Sequence, residues 1–155
     1  MSTFEKTPGG SRGTNMPSFA VPVMKFVNGL MIRQSRRSGR AAGLDALVLT
    51  TVGAKSGQQR QTLLGCFPES DGSWLIVASA GGSAANPAWY HNLAAHPDQV
   101  QAEVKGRTMH VTPSQLAGPE RDEAWRRIVT AQPRYKGYEK KTDRQLPIIR
   151  LTATG

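Results

Sequence analysis

A single cysteine, Cys66, stands in 155 residues, so neither an intramolecular disulfide nor a cysteine-built structural zinc site can form within the chain. Reducing conditions fit that usage, and a cytoplasmic location is the expectation. No apolar run approaches the roughly 18 residues of a bilayer-spanning helix, and no charged N-terminal stretch leads into an apolar one. Neither secretion nor a transmembrane anchor is indicated. Acids are scarce: eleven Asp and Glu face twenty Lys and Arg, a formal charge of +9. Such a field attracts anions without choosing among nucleic acid, an anionic membrane surface and a phosphorylated small molecule. No recognition helix and no aromatic-basic module is visible, so a specific nucleic-acid partner is not expected. His91, His96 and His110 share no ligand spacing with carboxylates, and no metal is assigned.

What remains is enough for one globular domain. Met1 to Pro17 is rich in Gly, Ser, Thr and Pro and reads as a disordered or loosely held tail. Over residues 18–40, Val23, Phe26, Val27, Leu30 and Met31 recur at helical spacing and Arg33, Arg36, Arg37 and Arg40 follow, which predicts an amphipathic helix with a basic end. Those arginines complement the helix dipole; beside an apolar stripe they also suit an anionic ligand or peripheral contact with the inner face of a membrane.

Residues 41–155 carry the domain itself. Short β-type runs at Leu47–Val52, Arg60–Phe67 and Ser73–Ala80 are separated by turn residues, and Gly106 splits Gln99–Lys105 from Arg107–Thr112 as a hairpin. Asn86-Pro87 opens one helix, Gly118-Pro119-Glu120 another, and Pro147–Thr152 closes the chain as a strand. About six strands with interspersed helices and no βαβ alternation predict an α+β antiparallel barrel rather than a Rossmann sheet.

The segment Gly53-Ala54-Lys55-Ser56-Gly57-Gln58-Gln59-Arg60 follows a strand and suits an anion. Glycines let amides converge on an oxygen, Ser56 adds a hydroxyl, Lys55 a mobile charge and Arg60 a planar fork. It is not a Walker loop. By composition alone an exposed hairpin loop of this kind is usually only a turn.

Four blocks in order give the segment a context: Thr50-Thr51-Val52-Gly53-Ala54-Lys55-Ser56-Gly57; Val77-Ala78-Ser79-Ala80-Gly81-Gly82; Asn86-Pro87-Ala88-Trp89-Tyr90-His91-Asn92; and Tyr135-Lys136-Gly137-Tyr138 with Lys141-Thr142-Asp143-Arg144-Gln145-Leu146-Pro147. From about Asp45 onward the chain resembles the deazaflavin-dependent nitroreductase and quinone reductase family, split β-barrels related to FMN-binding proteins. The resemblance implies coenzyme F420, a deazaflavin with a phosphate and an oligoglutamate tail, as cofactor. It places Ala54, Lys55, Ser56 and Arg60 at that tail, and Gln61, Thr62, Leu63, Leu64 and Gly65 with Val77, Ala78, Ser79 and Ala80 around the ring. Ala88, Trp89, Tyr90, His91 and Asn92 border it, although Trp89 and Tyr90 also read as core. Tyr135 and Tyr138 line the substrate cavity, and Ser79 and Tyr135 are the implied catalytic donors. Three positions depart from the family's usual residues, Ala80, Thr62 and Gly65, and bear on tail affinity and substrate fit.

The implied reaction is hydride transfer to a flat, electron-poor small molecule such as a quinone, a nitroaromatic or an activated enone, by a protein that is expected to form a homodimer. Two other readings stay open on the residues: the same barrel using FMN, and a non-catalytic lipid or small-molecule carrier.

Overall fold

The computed structural model describes residues 6–11, 13, 38–41, 44–79, 82 and 85–154. Among them the strands are β1 (Arg40–Ala41), β2 (Leu44–Val52), β3 (Gln59–Gly65), β4 (Phe67–Pro68), β5 (Trp74–Val77), β6 (Gln101–Val104), β7 (Arg107–Gln115) and β8 (Ile148–Ala153). Three helices accompany them: α1 (Ala88–Ala95), α2 (Gly118–Ala131) and α3 (Arg134–Lys141). The strands form a sheet in the order β1-β2-β6-β7-β8-β5-β4, with β3 on the other edge of β2. Every pairing is antiparallel.

Two bends turn this sheet into a barrel. β7 pairs with β6 through His110 and with β8 from Val111 onward. β3 and β4 are one strand interrupted at Cys66, whose N–H donates to the Asp45 carbonyl at 2.8 Å. Before that corner the strand pairs with β2; after it, with β5. The single strand expected at 60–67 is therefore two pieces, and the corner between them closes the sheet.

Burial follows from what each strand faces. Leu47, Leu49 and Thr51 point inward from β2 with Ala102 of β6 and Val111 of β7, and the Trp89, Tyr90 and Leu93 side chains of α1 complete that core. A second core gathers Leu75, Val77, Leu116, Ala124, Ile128, Tyr135, Leu146 and Ile148 beneath α2 and α3. β5 and β8 serve both: Ile76, Ile149 and Leu151 enter the first core while Leu75, Val77 and Ile148 enter the second. Strands buried on both faces read as continuous apolar runs instead of alternating ones, as Leu75-Ile76-Val77 and Ile148-Ile149 do.

Local chemistry sets the connections. The β6–β7 turn holds Lys105 at φ 51° and Gly106 at φ 81°, the two left-handed positions of a two-residue hairpin matched to strand twist. Pro119 sits in the first turn of α2, and Glu120 beside it complements the helix dipole.

The predicted helix over 18–40 lies almost wholly outside the described residues, as do Arg33, Arg36 and Arg37; the backbone of Arg40 belongs to β1, not to a helix end. Part of the expected tail is not loose. Thr7 donates its N–H to Tyr90 Oη at 2.7 Å, its carbonyl accepts from Asn86 Nδ2 at 2.9 Å, and its hydroxyl accepts from Gln115 Nε2 at 2.8 Å. Ser11 N–H donates to Asp143 at 2.8 Å. Polar groups of a Gly- and Pro-rich segment satisfy buried side chains here, a use that composition does not reveal.

Candidate active site

Where β4 gives way to β3, the pairing with β5 stops. Phe67 pairs with Leu75, and continuing that register backward sets Gly65 opposite Val77 and Leu64 opposite Ala78. Among the described residues β3 pairs with β2 alone, whereas on its other side β5 extends its ladder with β8 through the Ala78 N–H, which donates to the Pro147 carbonyl at 2.9 Å. The split between β3 and the end of β5 therefore begins at Cys66. Burial of that thiol, with Asp45 nearby, pushes its pKa up to about 12, so it is an inert packing group.

One wall of the split is β3, and the β2–β3 loop lies at its Gln59 end, away from Cys66. Gly53 and Gln58 close it by a 2.8 Å hydrogen bond, Gly57 turns at φ 69°, and a side chain on Gly53 would collide with Ser56 Oγ. The loop is tied to α1: Ala54 N–H donates to Asn92 Oδ1 at 2.9 Å, and Asn92 Nδ2 donates to Thr51 Oγ1 at 3.2 Å. Lys55, Ser56 and Arg60 are exposed, and neither cation is ion-paired among the described residues. Lys55 on the tethered loop and Arg60 near the start of β3 carry the charge that a multivalent anion needs.

Along β3 the predicted block divides. Arg60, Thr62 and Leu64 pair with Thr51, Leu49 and Leu47 and share their inward face, whereas Gln61 and Leu63 share the opposite face with Thr50 and Val48. A two-residue period prevents one strand from presenting all five to one ligand face.

The opposite wall is the segment after β5. Ser79 is half-buried, and its hydroxyl has no hydrogen-bond partner among the described residues; its carbonyl accepts from Gly82 N–H at 2.9 Å. Ala80 lies outside the described residues. Gly82, at φ 85°, packs so closely on α3 that an added Cβ would sit 2.9 Å from both the Tyr138 carbonyl and Lys141 Cβ.

A residue to which sequence reasoning gave no role organises this wall. Arg144 is 5% exposed and donates from Nη1 to the Ala78 carbonyl at 3.0 Å and to Asn86 Oδ1 at 2.8 Å, and from Nη2 to the Ser79 carbonyl at 2.8 Å. Burial lowers its pKa and the nearby Tyr90 opposes the shift. Arg144 stands inside the quoted Lys-Thr-Asp-Arg block, yet nothing in a single sequence marks an arginine as buried.

Of the α1 residues, Ala88 is exposed at the helix start while Trp89 and Tyr90 are core, with Tyr90 Oη donating to Gln115 Oε1 at 2.6 Å. His91 is half-buried, and burial, aided by the charge of Lys6, lowers its pKa. On α3, Tyr135 meets Phe67 edge-on at 5.6 Å and Tyr138 at 5.5 Å. Burial raises the Tyr135 pKa, Tyr138 and Cys66 add to the shift and Arg134 opposes it. Neither phenol hydrogen-bonds a described residue, so both remain available to a ligand. The groove lined by Thr50, Gln59, Asp98, Gln101 and His110 lies on the outward face and carries no unpaired cation.

The sequence profile described as F420H(2)-dependent quinone reductase matches residues 25–153. The chain belongs to the F420H(2)-dependent quinone reductase family. It is similar to the F420H(2)-dependent quinone reductase of Mycobacterium tuberculosis (strain H37Rv), with 39% identity over 110 residues, 69% of this chain and 72% of the relative. Among solved structures, the F420-H2 dependent reductase FDR-A is 36% identical with a TM-score of 0.61, covering 68% of this chain and 92% of that one. A chain described as a domain-swapped dimer is 32% identical with a TM-score of 0.63, covering 86% of this chain and 99% of that one. The fold is the split-barrel α+β fold that the resemblance implied.

The quinone reductase family's cofactor can be tested against the donors present. A phosphate and carboxylate tail needs exposed, unpaired cations, and Lys55 and Arg60 supply them. A flat ring needs a slot with small or polar walls; Gly65 and Ser79, both half-buried, lie on the two sides of the split, with the fully buried Ala78 behind Ser79. The donor set fits. Among the described residues no group of His, Cys, Asp or Glu could hold a metal ion, and no helix is long and apolar enough to cross a membrane.

Proposed function

We propose that this chain is a coenzyme F420-dependent reductase that passes hydride to quinones, with nitroaromatics and activated enones as further acceptors of the same electronic kind. The observation that carries it is the pair of exposed cations, Lys55 on the Asn92-tethered loop and Arg60 near the start of β3, neither ion-paired among the described residues. The bound deazaflavin supplies the hydride.

The chain's own residues do the rest. Lys55, Ser56 and Arg60 hold the anionic tail, and Arg60 is the better phosphate or carboxylate fork. Ala54 contributes through the loop backbone, held by Asn92. Thr62 and Leu64 on the inward face of β3, with Gly65, Ala78 and Ser79, wall the ring, while Val77 supports them from the second core. Ala88 and His91 border it from α1, while Trp89 and Tyr90 act through packing. Tyr135 and Tyr138 close over the acceptor and exclude water.

Hydride addition to a quinone leaves negative charge on an oxygen, which one proton then neutralises. Tyr135 Oη and Ser79 Oγ are the donors at that oxygen. Because burial raises the Tyr135 pKa, its phenol stays protonated through the physiological range.

The test is to mix the protein with reduced F420 and menadione and follow the cofactor's absorbance. Rapid oxidation that depends on protein supports the reading; no binding and no oxidation overturn it. A purified protein that instead releases a flavin would establish the FMN alternative. Similarity to a domain-swapped dimer supports a homodimer here, which light scattering reads directly. Peripheral membrane contact through the basic segment before Arg40 is a separate expectation, checked by co-sedimentation with anionic vesicles.

A further inference from the structure

Arg144 is a buried cation, and removing a guanidinium from water is costly unless its donors are well used. Here they fix backbone. The Ala78 carbonyl, the Ser79 carbonyl and Asn86 Oδ1 converge on Nη1 and Nη2 within 3.0 Å. A carbonyl held in place fixes its whole peptide plane, and across a trans peptide the following N–H points the other way. The Ser79 N–H is therefore directed away from the guanidinium, and neither it nor Ser79 Oγ has a partner among the described residues.

Gly82 adds a second fixed point. Its N–H donates to the Ser79 carbonyl at 2.9 Å while its Cα packs on α3, so the same carbonyl is held from two directions. Thr7 adds a third, through the 2.9 Å hydrogen bond from Asn86 to its carbonyl.

We propose that Arg144 is a positioning residue: it locks the Ala78–Ser79 peptide so that Ser79 N–H is a preorganised donor facing the split, with the Ser79 hydroxyl carried beside it. Its bearing on the cofactor rests on the F420 reading above; its bearing on the backbone does not. A donor held before binding lowers the ordering cost of the complex. Lysine keeps the charge but cannot span three acceptors with a planar fork, so Arg144→Lys separates geometry from charge.

Two measurements test this on the full chain. Hydrogen exchange without cofactor reads the lock: Arg144→Lys and Arg144→Met lose amide protection at Gly82, whose N–H donates to the Ser79 carbonyl, and at Ala78, whose N–H donates to the Pro147 carbonyl, while β2 and β7 stay protected. Unchanged protection in that segment overturns the proposal, whether or not F420 binds. Fluorescence titration with F420 reads the consequence: Arg144→Lys weakens binding by about tenfold, with Val111→Ala, a truncation in the barrel core, as the stability control. If Val111→Ala lowers Tm as much and weakens F420 equally, the effect is general loosening and the positioning role is overturned. A wild-type chain that does not bind F420 defeats the cofactor reading, and the exchange data then still decide the role of Arg144.

Discussion

At the scale of single residues, exposure separates binding from stability. Lys55 and Arg60 are exposed and unpaired among the described residues, so truncating either leaves the fold unchanged within about 0.5 kcal/mol. Their effect belongs to the ligand: Lys55→Ala weakens F420 roughly threefold and Arg60→Ala, which loses a fork, roughly tenfold. Both losses shrink as salt rises, because exposed charges are screened; fluorescence titrations at two ionic strengths check this. Tyr135 is the opposite case. Its raised pKa means that the unfolded phenol, at its ordinary value near 10, releases its proton first as pH climbs. Its contribution is thus fully present below about pH 10 and is lost as pH rises through the folded value. Urea melts across pH 8 to 11 should show wild type losing more stability than Tyr135→Phe. Quinone reduction by Tyr135→Phe should fall in kcat with little change in F420 affinity, if the hydroxyl serves the acceptor oxygen.

At the scale of elements, the connections carry the site, and they were the part least legible beforehand. The β2 run, the β6–β7 hairpin, α2 and the closing strand could be read from alternation, turn residues and Pro119, because each is a local signal. The break at Cys66 could not, since it depends on which neighbour each half of the strand finds. Strand alternation was available in principle, and would have divided Gln61 and Leu63 from Arg60, Thr62 and Leu64. The roles of Asn92 and Arg144 were beyond reach, because each is a contact between segments far apart in sequence. Asn92→Ala removes two hydrogen bonds that tie the β2–β3 loop to α1, leaving the Ala54 N–H and Thr51 hydroxyl to find water. A loss of about 1–3 kcal/mol follows, measured by urea unfolding, together with weaker F420 binding through a loosened tail site. Gly82→Ala meets both a left-handed φ of 85° and a close approach to α3. It should cost about 1–3 kcal/mol from the strained backbone alone and lower Tm more than an alanine at Gly57, whose left-handed position has open space around it.

Over the whole molecule, the barrel, its plug helix and its N-terminal segment form one closed circuit. Thr7 reaches Tyr90 on α1 and Gln115 at the end of β7, and through Asn86 it meets the Arg144 side chain from the C-terminal segment. Asp143, next in the chain to Arg144, receives Ser11. Chain ends held this way stabilise by satisfying polar groups that the core has already buried, so removing the partner costs more than the hydrogen bond alone contributed. Thr7→Pro tests the circuit with little change in surface. It deletes the N–H that Tyr90 Oη accepts and the hydroxyl that Gln115 uses, and leaves the carbonyl that Asn86 needs. A loss of about 2 kcal/mol is expected, which in a chain of this size lowers Tm by roughly 4–8 °C. Calorimetry reads that shift, and hydrogen exchange should place the loosening at α1 and at the bonded amides of Ala78 and Gly82. An unchanged Tm would mean that the barrel holds its plug and its split unaided.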